Sequence, residues 1–592
     1  MTKIKPEVVH GVPQVTWRMF EKDYTDRHIL HHVIEKWAAE CPAKIALVSA
    51  DTGRDYSWAQ FKEAMDGIAC KLLEMGVQKG DFVASSLPFF PEHVFVMFAC
   101  FKIGAVFAPL DMRLKPSEAE RCIDLIKAKV YFHLGKTDFA DFGKMSEAVM
   151  DNCDSLKYCV QFSNPDDINE DNDQTKVISA LEFALDAKEL LRKVNSGERK
   201  DLGEQLKKAS EAIGERDGCL VIYTTGSTSG YPKPALLCHQ GICAQALCSG
   251  IAYGFDNPDD AVLVNMPPSH VGGLTQQFFT TLYFGGKAVV LDMFKPDLSL
   301  DAIAKYKCAI IGQIPSLFNM EWRMPNYYNY NLKSLKVAIY GGQAITRPFA
   351  EQMAKMAPKI ATGFGMTEMS GMATFSSLNA SIDDIISSAG YTMPITPMTI
   401  REPMKDDNTA GAEKPAGQIG EICFSGPQVF LGYVNDPENT KKTITKDGWL
   451  YTGDLGSYDD KGLHISGRSK FMIKPKGYNV YPPEIEDFVV EKFKDQVEVA
   501  GVVGMPHDVF GEGVFLFVEK KAGKHVTPEE IMAACKTGLA AYKRPSAVVV
   551  MEPAQMPLTR TEKTDYVLLK NIAAKEIEAL RAKGKWDRGK AE

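Results

Sequence analysis

Short apolar runs alternate with amphipathic stretches through the first 150 residues. Apolar positions at helical spacing between His28 and Ala39 predict an amphipathic helix. The apolar run Phe82–Ser85 predicts a buried strand, Phe95–Phe101 a buried helix and Ala105–Pro109 the next strand. Alternation of this kind is typical of α/β layers built on a mainly parallel sheet.

The pattern changes after Gly467. Lys470–Glu486 is rich in Lys, Gly and Pro, and two strands and a helix are predicted after it, at Val497–Val503, Val514–Glu519 and Pro528–Leu539. About 120 residues are enough to form a core of their own. The predicted architecture is a large N-terminal domain of packed α/β subdomains, residues 1–469, plus a small mobile α+β C-terminal domain, residues 470–592, with a hinge at Lys470.

Two polar stretches are predicted to lie outside the core. Ser163–Lys176 is acidic and rich in turn-forming residues, which is typical of a surface loop. Lys575–Glu592 is highly charged and is predicted to be frayed.

Composition and charge narrow the function. At 592 residues the chain is too long for one hydrophobic core. Its net charge of −8 leaves no basic excess for a phosphate backbone, so we expect no nucleic-acid partner. The most apolar stretch, Val94–Leu110, is broken by Lys102 and is too short to span a bilayer. The cysteines are scattered singly, which favours packing cysteines in a reduced, cytoplasmic protein.

A strand predicted at Gly218–Tyr223 leads directly into the loop Thr224–Lys233, which contains hydroxyl side chains, two glycines and a lysine. Such residues can surround a polyphosphate with N–H, O–H and ammonium donors. The loop differs from the P-loop of kinases, because Gly230 is followed by Tyr-Pro-Lys. Taken alone, the segment fits a phosphate cradle and an ordinary surface loop equally well.

Four further segments favour a nucleotide site when they are taken together. Gly363–Glu368 combines an aromatic ring, a hydroxyl and a carboxylate, which suit a purine, phosphate and Mg²⁺. The others supply a carboxylate, a guanidinium and a lysine on a loop, in Tyr451–Asp454, Gly467-Arg468 and Pro557–Lys563. Each has an ordinary explanation as a turn, a cap or a solvated charge. Their co-occurrence in one chain is the informative feature.

In this order, the segments closely resemble the adenylate-forming superfamily of acyl-CoA synthetases, peptide-synthetase adenylation domains and luciferases. The resemblance covers nearly the whole chain. It also includes Pro267–Leu274, Gly341–Ala344, Gly417–Glu421 and Gly467–Glu486. It implies two half-reactions: a carboxylate attacks the α-phosphate of Mg·ATP to give acyl-AMP and pyrophosphate, and a thiol then attacks the acyl group.

The resemblance implies roles for individual residues in ATP binding. Lys563 would bridge the carboxylate and the α-phosphate, Thr367 would contact the α-phosphate and Glu368 would bind Mg²⁺. The implied contacts of the β- and γ-phosphates are Thr225, Gly226, Ser227, Thr228, Gly230 and Lys233. Phe364 would stack on adenine beside Gly342 and Gln343, and Asp454 and Arg468 would hold the ribose. Lys470 matches the hinge, and Gly477 matches the glycine that lets the pantetheine of coenzyme A pass.

The chain departs from the family pattern at a few positions. Pro234 follows the phosphate-loop lysine, where Gly or Ala is usual, and little effect is expected there. Glu562 replaces the usual glycine before Lys563 and is placed to attract it. Gln343 stands where Ala is common.

The resemblance also indicates the acyl pocket, whose expected residues are His270, Val271, Gly272, Ile314, Gly341, Gly365 and Met369, with Gly273 and Met372 as further walls. Acetate and propionate enzymes of the family close the pocket with Trp at the position of Gly365. Glycine there implies a deeper pocket. We therefore expect an acid of medium size and hydrophobic character, which is aliphatic, alicyclic or aromatic.

The expected activity is an ATP-dependent carboxylic acid:CoA ligase with ATP, Mg²⁺ and coenzyme A, because no carrier domain follows the C-terminal domain. Two alternatives stay open. One is a ligase that loads a separate acyl carrier protein, and the other is a non-catalytic nucleotide-binding relative whose lysine loop is spoiled by Glu562. A homodimer is compatible with these predictions.

Overall fold

The computed structural model describes residues 4–138, 140–163, 177–224, 232–475, 478–559 and 563–587. The chain divides into two compact units. The first unit comprises Met1–Met398 and Phe424–Leu450, and the second comprises Thr399–Cys423 and Tyr451–Glu592. A mixed α/β fold with a larger and a smaller part is confirmed, and the hinge at Lys470 stays a prediction.

Sheet A of the first unit has eight strands. In spatial order they are Gly432–Tyr433, Lys233–Cys238, Gly218–Thr224, Val106–Pro109, Phe82–Ser86, Val130–Leu134, Tyr158–Phe162 and Val177–Ser179. The last six run parallel and the first two pair antiparallel. The predicted strands at Phe82 and Ala105 are therefore confirmed within one residue at each end.

Sheet B of the first unit has seven strands. In spatial order they are Lys359–Thr362, Val337–Tyr340, Cys308–Gln313, Ala261–Val264, Lys287–Val290, Ile45–Ser49 and Asp55–Ser57. All pairs are parallel except the last. Because neighbouring parallel strands end at the same edge, the residues that follow four of them are brought together.

The helices of the first unit begin and end with ordinary signals. The predicted helix Phe95–Phe101 extends over Pro91–Ile103, because Pro91 fits the first helical turn and Gly104 ends the helix at φ 75°. The helices are Trp17–Asp23, Leu30–Glu40, Trp58–Glu74, Pro91–Ile103, Pro116–Leu125, Phe142–Asn152, Ala180–Ser196, Lys200–Glu211, His239–Tyr253, Thr280–Tyr283, Pro296–Tyr306, Pro315–Trp322, Arg347–Met356, Ile382–Ser387 and Pro437–Lys441. No helix in the described parts of the chain is long and apolar enough to cross a membrane.

The second unit contains two smaller sheets. Sheet C comprises Met398–Arg401, Gly420–Phe424, Leu450–Asp459 and Gly462–Arg468. Three residues at its strand ends, Met398, Phe424 and Leu450, belong to the first unit. Sheet D comprises Val497–His507, Gly511–Lys520 and Ala547–Met551. The helices of this unit are Pro482–Lys492, Pro528–Gly538 and Tyr566–Ala582.

For the described residues 575–587, the prediction of a frayed C-terminal stretch is wrong. Tyr566–Ala582 is helical and buries Ile577. Trp586 is 1% exposed, and its indole N–H donates to the carbonyl oxygen of Pro506 at 2.8 Å. The tail is therefore held by a buried aromatic ring, which the charged residues around it masked in the sequence. Most of the loop predicted at Ser163–Lys176 lies outside the described residues.

A buried polar network lies where two central strands of sheet B end. Glu321 is fully buried and accepts hydrogen bonds from Ser299 Oγ at 2.5 Å and Gln313 Nε2 at 2.7 Å. Asn265 Nδ2 donates to Gln313 Oε1 at 2.7 Å. Burial raises the pKa of Glu321 to about 8, with the two hydrogen bonds acting in the opposite direction. The strand ends at Asn265 and Gln313 are therefore joined directly by their amide groups, and Glu321 binds the Gln313 side of this pair.

Glu321→Gln is expected to flatten the pH dependence of stability. The carboxyl group titrates near 4.5 in the unfolded chain and near 8 in the folded one. The folded state therefore binds the extra proton, and the wild-type free energy of unfolding falls as pH rises from about 4.5 to 8. Glutamine keeps the shape without ionising. The variant should gain stability relative to wild type between pH 5 and pH 8, measured by urea unfolding.

Glu351→Gln is the matched control, because Glu351 is exposed on the helix Arg347–Met356. It should follow the wild-type pH profile. Parallel profiles for Glu321→Gln and wild type would contradict the assignment of a raised pKa to Glu321.

Candidate functional site

The carboxyl edge of sheet B collects four of the predicted site segments. Four neighbouring strands end at Thr362, Tyr340, Gln313 and Val264. The segments that follow them are, in the same order, Gly363–Glu368, Gly341–Gln343, Ile314 and the stretch that reaches His270–Gly272. The carboxyl edge of a parallel sheet is the usual place for ligands in α/β folds. Adjacent strands therefore bring together predicted adenine and acyl residues that are up to about a hundred positions apart in sequence.

A tight hairpin follows the first of these strands. Gly365–Met366 pairs with Gly371–Met372, and Thr367–Met369 forms a short 3₁₀ turn between them. A Cβ atom at Gly365 would lie 2.5 Å from the carbonyl oxygen of Gly371. The close approach of the two strands is thus a local reason for glycine at this position. The deeper acyl pocket inferred from the same glycine stays a prediction.

The predicted adenine residues have distinct surroundings. The ring of Phe364 is stacked on Phe424, with centroids 5.8 Å apart and planes 7° apart, and the residue is 8% exposed. Its N–H donates to Thr374 Oγ1 at 2.8 Å. Gly342 has φ 92°, a conformation that favours glycine, and Gln343 is exposed. Stacking of Phe364 on adenine stays a prediction.

Glu368 is tied to the predicted phosphate lysine through Tyr433, a residue that the sequence reasoning missed. Tyr433 Oη donates to Glu368 Oε1 at 2.6 Å, and Lys233 Nζ lies 4.7 Å from the centroid of the Tyr433 ring. Burial, followed by the charge of Glu368, raises the pKa of Tyr433 and keeps it a donor. No local pattern marks Tyr433, because it meets both partners only through strand pairing of Gly432–Tyr433 with Ala235 and Leu236 in sheet A.

The ends of the predicted phosphate loop are fixed by sheet A. Thr224 and Lys233 face each other across the antiparallel pair that flanks the loop. The predicted phosphate contacts Thr225, Gly226, Ser227, Thr228 and Gly230 lie outside the described residues.

The predicted acyl-wall segment enters a π-helical stretch, Gly272–Phe279. His270, Val271 and Gly272 are partly exposed, as is Ile314. Met369 is fully buried and Met372 is 7% exposed. The wider turn of a π-helix is often found at functional sites. These positions agree with a wall, and their contact with an acid stays a prediction.

The predicted ribose residues of the second unit form an ion pair. Asp454 and Arg468 are opposite each other in sheet C, and Arg468 Nε lies 3.0 Å from Asp454 Oδ1. Burial raises the pKa of Asp454, while the charges of Arg468, Lys563 and Lys470 act in the opposite direction. Arg468 is thus the direct partner of this largely buried carboxylate, and Lys563 and Lys470 add favourable charge.

The turn before Asp454 is held by a second carboxylate, Glu421. Its Oε1 accepts from the N–H of Gly453 at 2.9 Å. Thr452 Oγ1 accepts from the N–H of Asp454 at 3.1 Å and donates to the carbonyl oxygen of Ile422 at 2.8 Å. Glu421 therefore fixes the direction of Asp454, a role that its place in the Gly417–Glu421 motif did not reveal.

The loop that carries Lys563 is closed by its own backbone. The N–H of Thr559 donates to the carbonyl oxygen of Lys563 at 2.7 Å, and the N–H of Asp565 donates to that of Pro557 at 2.8 Å. Loss of hydration around the ammonium group, followed by the like charge of Arg468, lowers the pKa of Lys563, and Asp454 raises it. Glu562 lies outside the described residues, so its attraction for Lys563 stays a prediction.

A partly buried hydrogen bond anchors the base of this loop. Tyr566 Oη donates to Glu486, 3.0 Å from both carboxyl oxygens, and the N–H of Val502 donates to Glu486 Oε1 at 2.7 Å. Burial raises the pKa of Glu486 to about 8. The Tyr566 ring lies 4.9 Å from that of Phe471, next to the predicted hinge residue Lys470. The predicted pantetheine glycine Gly477 lies outside the described residues.

Curated relatives align with this chain over most of its length. It is 28% identical to a feruloyl-CoA synthase of Amycolatopsis sp over 499 residues, which are 84% of this chain and 90% of that protein. It is 27% identical to the medium-chain fatty-acid–CoA ligase of Escherichia coli strain K12 over 545 residues, 90% of this chain and 89% of the relative.

Solved structures share the fold. ATP-bound MatB from Rhodopseudomonas palustris superimposes with a TM-score of 0.74 at 24% identity, over 92% of this chain and 99% of MatB. Family models match at two places: an AMP-binding enzyme model at residues 34–434 and an AMP-binding enzyme C-terminal domain model at residues 484–563. The predicted resemblance is thereby confirmed, and the chain belongs to the AMP-binding, adenylate-forming enzyme family.

Proposed function

We propose that the protein is an ATP-dependent carboxylic acid:CoA ligase that acts on a medium-sized hydrophobic acid. An oxygen of the acid attacks the α-phosphorus of ATP, and pyrophosphate leaves. The thiol of coenzyme A then attacks the acyl carbon, and AMP leaves. Family membership supports the reaction, and the cluster of Asp454, Arg468 and Lys563 is the structural observation that carries it.

The prediction of an AMP-forming acid–thiol ligase is confirmed. The two family models and the CoA-ligase relatives agree with an AMP-forming acid–thiol ligase that uses ATP and coenzyme A. Mg²⁺, the particular acid, a cytoplasmic location and a homodimer are parts of the proposal.

Lys563 is proposed to act in the first half-reaction. Its ammonium group shares an electrostatic environment with Asp454 and Arg468, where a nucleotide's ribose would be held. A cation placed there stabilises the negative charge that develops as the carboxylate attacks the α-phosphate. The Glu486–Tyr566 anchor restricts the base of its loop and so reduces the freedom that must be lost when the lysine engages ATP.

Glu368 is proposed to bind the Mg²⁺ that accompanies ATP. Its Oε1 accepts from Tyr433, and Lys233 lies beside the same aromatic ring. Tyr433 would orient the carboxylate, and Lys233 would bind phosphate oxygens. Mg²⁺ would supply charge neutralisation of the phosphates when bound.

An acid panel tests the proposed activity. Pyrophosphate exchange is measured with aliphatic, alicyclic and aromatic acids, and thioester formation is then followed with coenzyme A or with a holo-acyl carrier protein. Exchange with a medium-sized acid and thioester formation with coenzyme A are expected. Acylation of the carrier alone would favour the carrier-loading alternative, and absence of exchange with every acid would favour a non-catalytic relative.

Lys563→Ala is expected to separate the half-reactions. Adenylation, measured by pyrophosphate exchange, should fall by about 100-fold or more, because one preorganised charge at the transition state is lost. Thioester formation from preformed acyl-AMP should stay within about threefold of wild type, a limit that corresponds to less than 1 kcal/mol. Lys575→Ala is the control, because Lys575 is exposed on the helix Tyr566–Ala582, which follows the loop that carries Lys563. An equal fall in both half-reactions would refute the assigned role.

Tyr433→Phe is expected to weaken Mg²⁺ use. The change removes the hydroxyl that donates to Glu368 and leaves the ring under Lys233. The Mg²⁺ concentration for half-maximal adenylation should rise by about 10- to 150-fold, which corresponds to the loss of a hydrogen bond to a charged group. Tyr328→Phe, at a tyrosine that is 86% exposed, is the control. An unchanged Mg²⁺ dependence in Tyr433→Phe would show that Tyr433 does not orient the metal-binding carboxylate.

A further inference from the structure

A buried group of uncharged polar side chains lies behind Met372. Its members come from the helix His239–Tyr253 and the π-helical stretch Gly272–Phe279, and they are Gln245, Ser249, Tyr253, Thr275 and Gln276. Gln276 is 8% exposed and the other four are fully buried. We call these five residues the amide cluster. Tyr253 and Thr275 donate to the carbonyl oxygens of Thr362 and Val271, so the two amide groups are the members whose hydrogen bonding needs an explanation.

Backbone geometry fixes the orientation of both amides. The N–H of Met372 donates to Gln276 at 3.2 Å, so the accepting atom is Gln276 Oε1. The atom of Gln245 that lies 2.8 Å from this oxygen is therefore its Nε2 donor. The remaining Gln276 Nε2 donates to Ser249 Oγ at 3.0 Å. The directions of these bonds follow from one backbone donor.

Two hydrogen-bonding groups of the cluster are left poorly used. Gln245 Oε1 is buried and has no hydrogen-bond partner among the described residues. Gln276 Nε2 also faces the sulfur of Met372 at 3.7 Å, and a thioether is a weak acceptor. The strong acceptor Gln245 Oε1 is therefore unpartnered among the described residues, and the strong donor Gln276 Nε2 turns one N–H toward a sulfur atom.

Met372 separates the cluster from the predicted acyl-pocket wall. Its methyl carbon is the nearest atom, at 3.7 Å, to the place where a Cβ on Gly341 would stand, and it pairs with Gly365 in the hairpin. On the other side its sulfur is 3.4 Å from Tyr253 Oη. Gln276 is one turn beyond Val271 and donates its N–H to the Val271 carbonyl oxygen at 2.9 Å. A thioether side chain is flexible enough to move from this position.

We propose that the acyl pocket ends in the amide cluster, and that the preferred acid carries a hydroxyl group at the end distal to its carboxylate. When the Met372 side chain moves aside, the hydroxyl oxygen accepts from Gln276 Nε2 and its hydrogen is donated to Gln245 Oε1. This inference rests on the proposed ligase function and adds a polar end to the hydrophobic acid expected there.

The chemistry of the cluster favours a neutral group over an ion. None of its five members carries a charge, and burial raises the pKa of Tyr253, so that residue stays protonated. A terminal carboxylate or ammonium would lose its hydration without meeting a counter-charge in the cluster. A hydroxyl matches one donor and one acceptor, which is what Gln276 and Gln245 offer.

Matched acid pairs test this proposal on the wild-type enzyme. The pairs are octanoic with omega-hydroxyoctanoic acid, cinnamic with para-hydroxycinnamic acid, and cyclohexanecarboxylic with trans-para-hydroxycyclohexanecarboxylic acid. The kcat/KM for pyrophosphate exchange should favour the hydroxy acid by about tenfold or more in at least one pair, since polar sites discriminate strongly against analogues that leave them unpaired. Equal values, or preference for the unsubstituted acid in every pair, would overturn the proposal.

Gln245→Met then tests whether the amide cluster is the part of the pocket that distinguishes the hydroxy acid from its unsubstituted partner. It removes the orphan acceptor, together with the Nε2 donor to Gln276 and Ser249, at nearly constant volume. The ratio of kcat/KM for the preferred hydroxy acid to kcat/KM for its unsubstituted partner should therefore fall about tenfold. Gln240→Met is the control, because Gln240 is on the same helix and bonds to Glu215 instead. An unchanged preference in folded Gln245→Met would also overturn the proposal.

The outcomes separate the two proposals. Absence of exchange with every acid would refute the ligase function itself. Exchange without preference for a hydroxyl would leave that function standing and refute the polar end of the pocket. If Gln245→Met fails to fold, the wild-type acid pairs still decide.

Discussion

Parallel alignment of four neighbouring strands in sheet B is the constraint on which the first unit's candidate site depends. Each strand exposes its last peptide groups and the residues that follow at one edge. The loops at Gly341, Ile314 and Gly363 therefore start from adjacent positions, although they are separated in sequence. A shift of one strand would move its loop away from the others. The buried Glu321 network, which joins Asn265 to Gln313, stabilises this shared edge.

In both units, buried carboxylates are stabilised by a hydrogen-bond donor or by an opposite charge. Glu368 receives a phenol hydrogen bond from Tyr433, whose ring also faces Lys233. Asp454 pairs with Arg468 at 3.0 Å while burial works against its charge. Buried charges of this kind are stable only with such partners. The same partners restrict the orientation of both carboxylates, which the proposed contacts with Mg²⁺ and the ribose require.

Uncharged polar groups lie at the proposed distal end of the acyl pocket. The sequence favoured a hydrophobic acid, because Val271, Met369 and most other predicted wall residues are apolar. The structure adds Gln245 and Gln276 behind Met372, with one acceptor unpartnered among the described residues. The sequence alone does not show which side chains of a helix line a pocket, because the direction of each side chain depends on the helix type and on its neighbours.

The sequence by itself determined the family, the α/β class and the order of the site segments, because these depend on local residue types and spacing. It missed Tyr433, Glu421 and the Glu486–Tyr566 anchor. Each of these acts through a hydrogen bond to a residue more than thirty positions away. Only the tertiary structure decided those pairings, and it also placed Trp586 in a core that the charged tail concealed. Long-range contacts are set by strand order and burial, which no single stretch of sequence encodes.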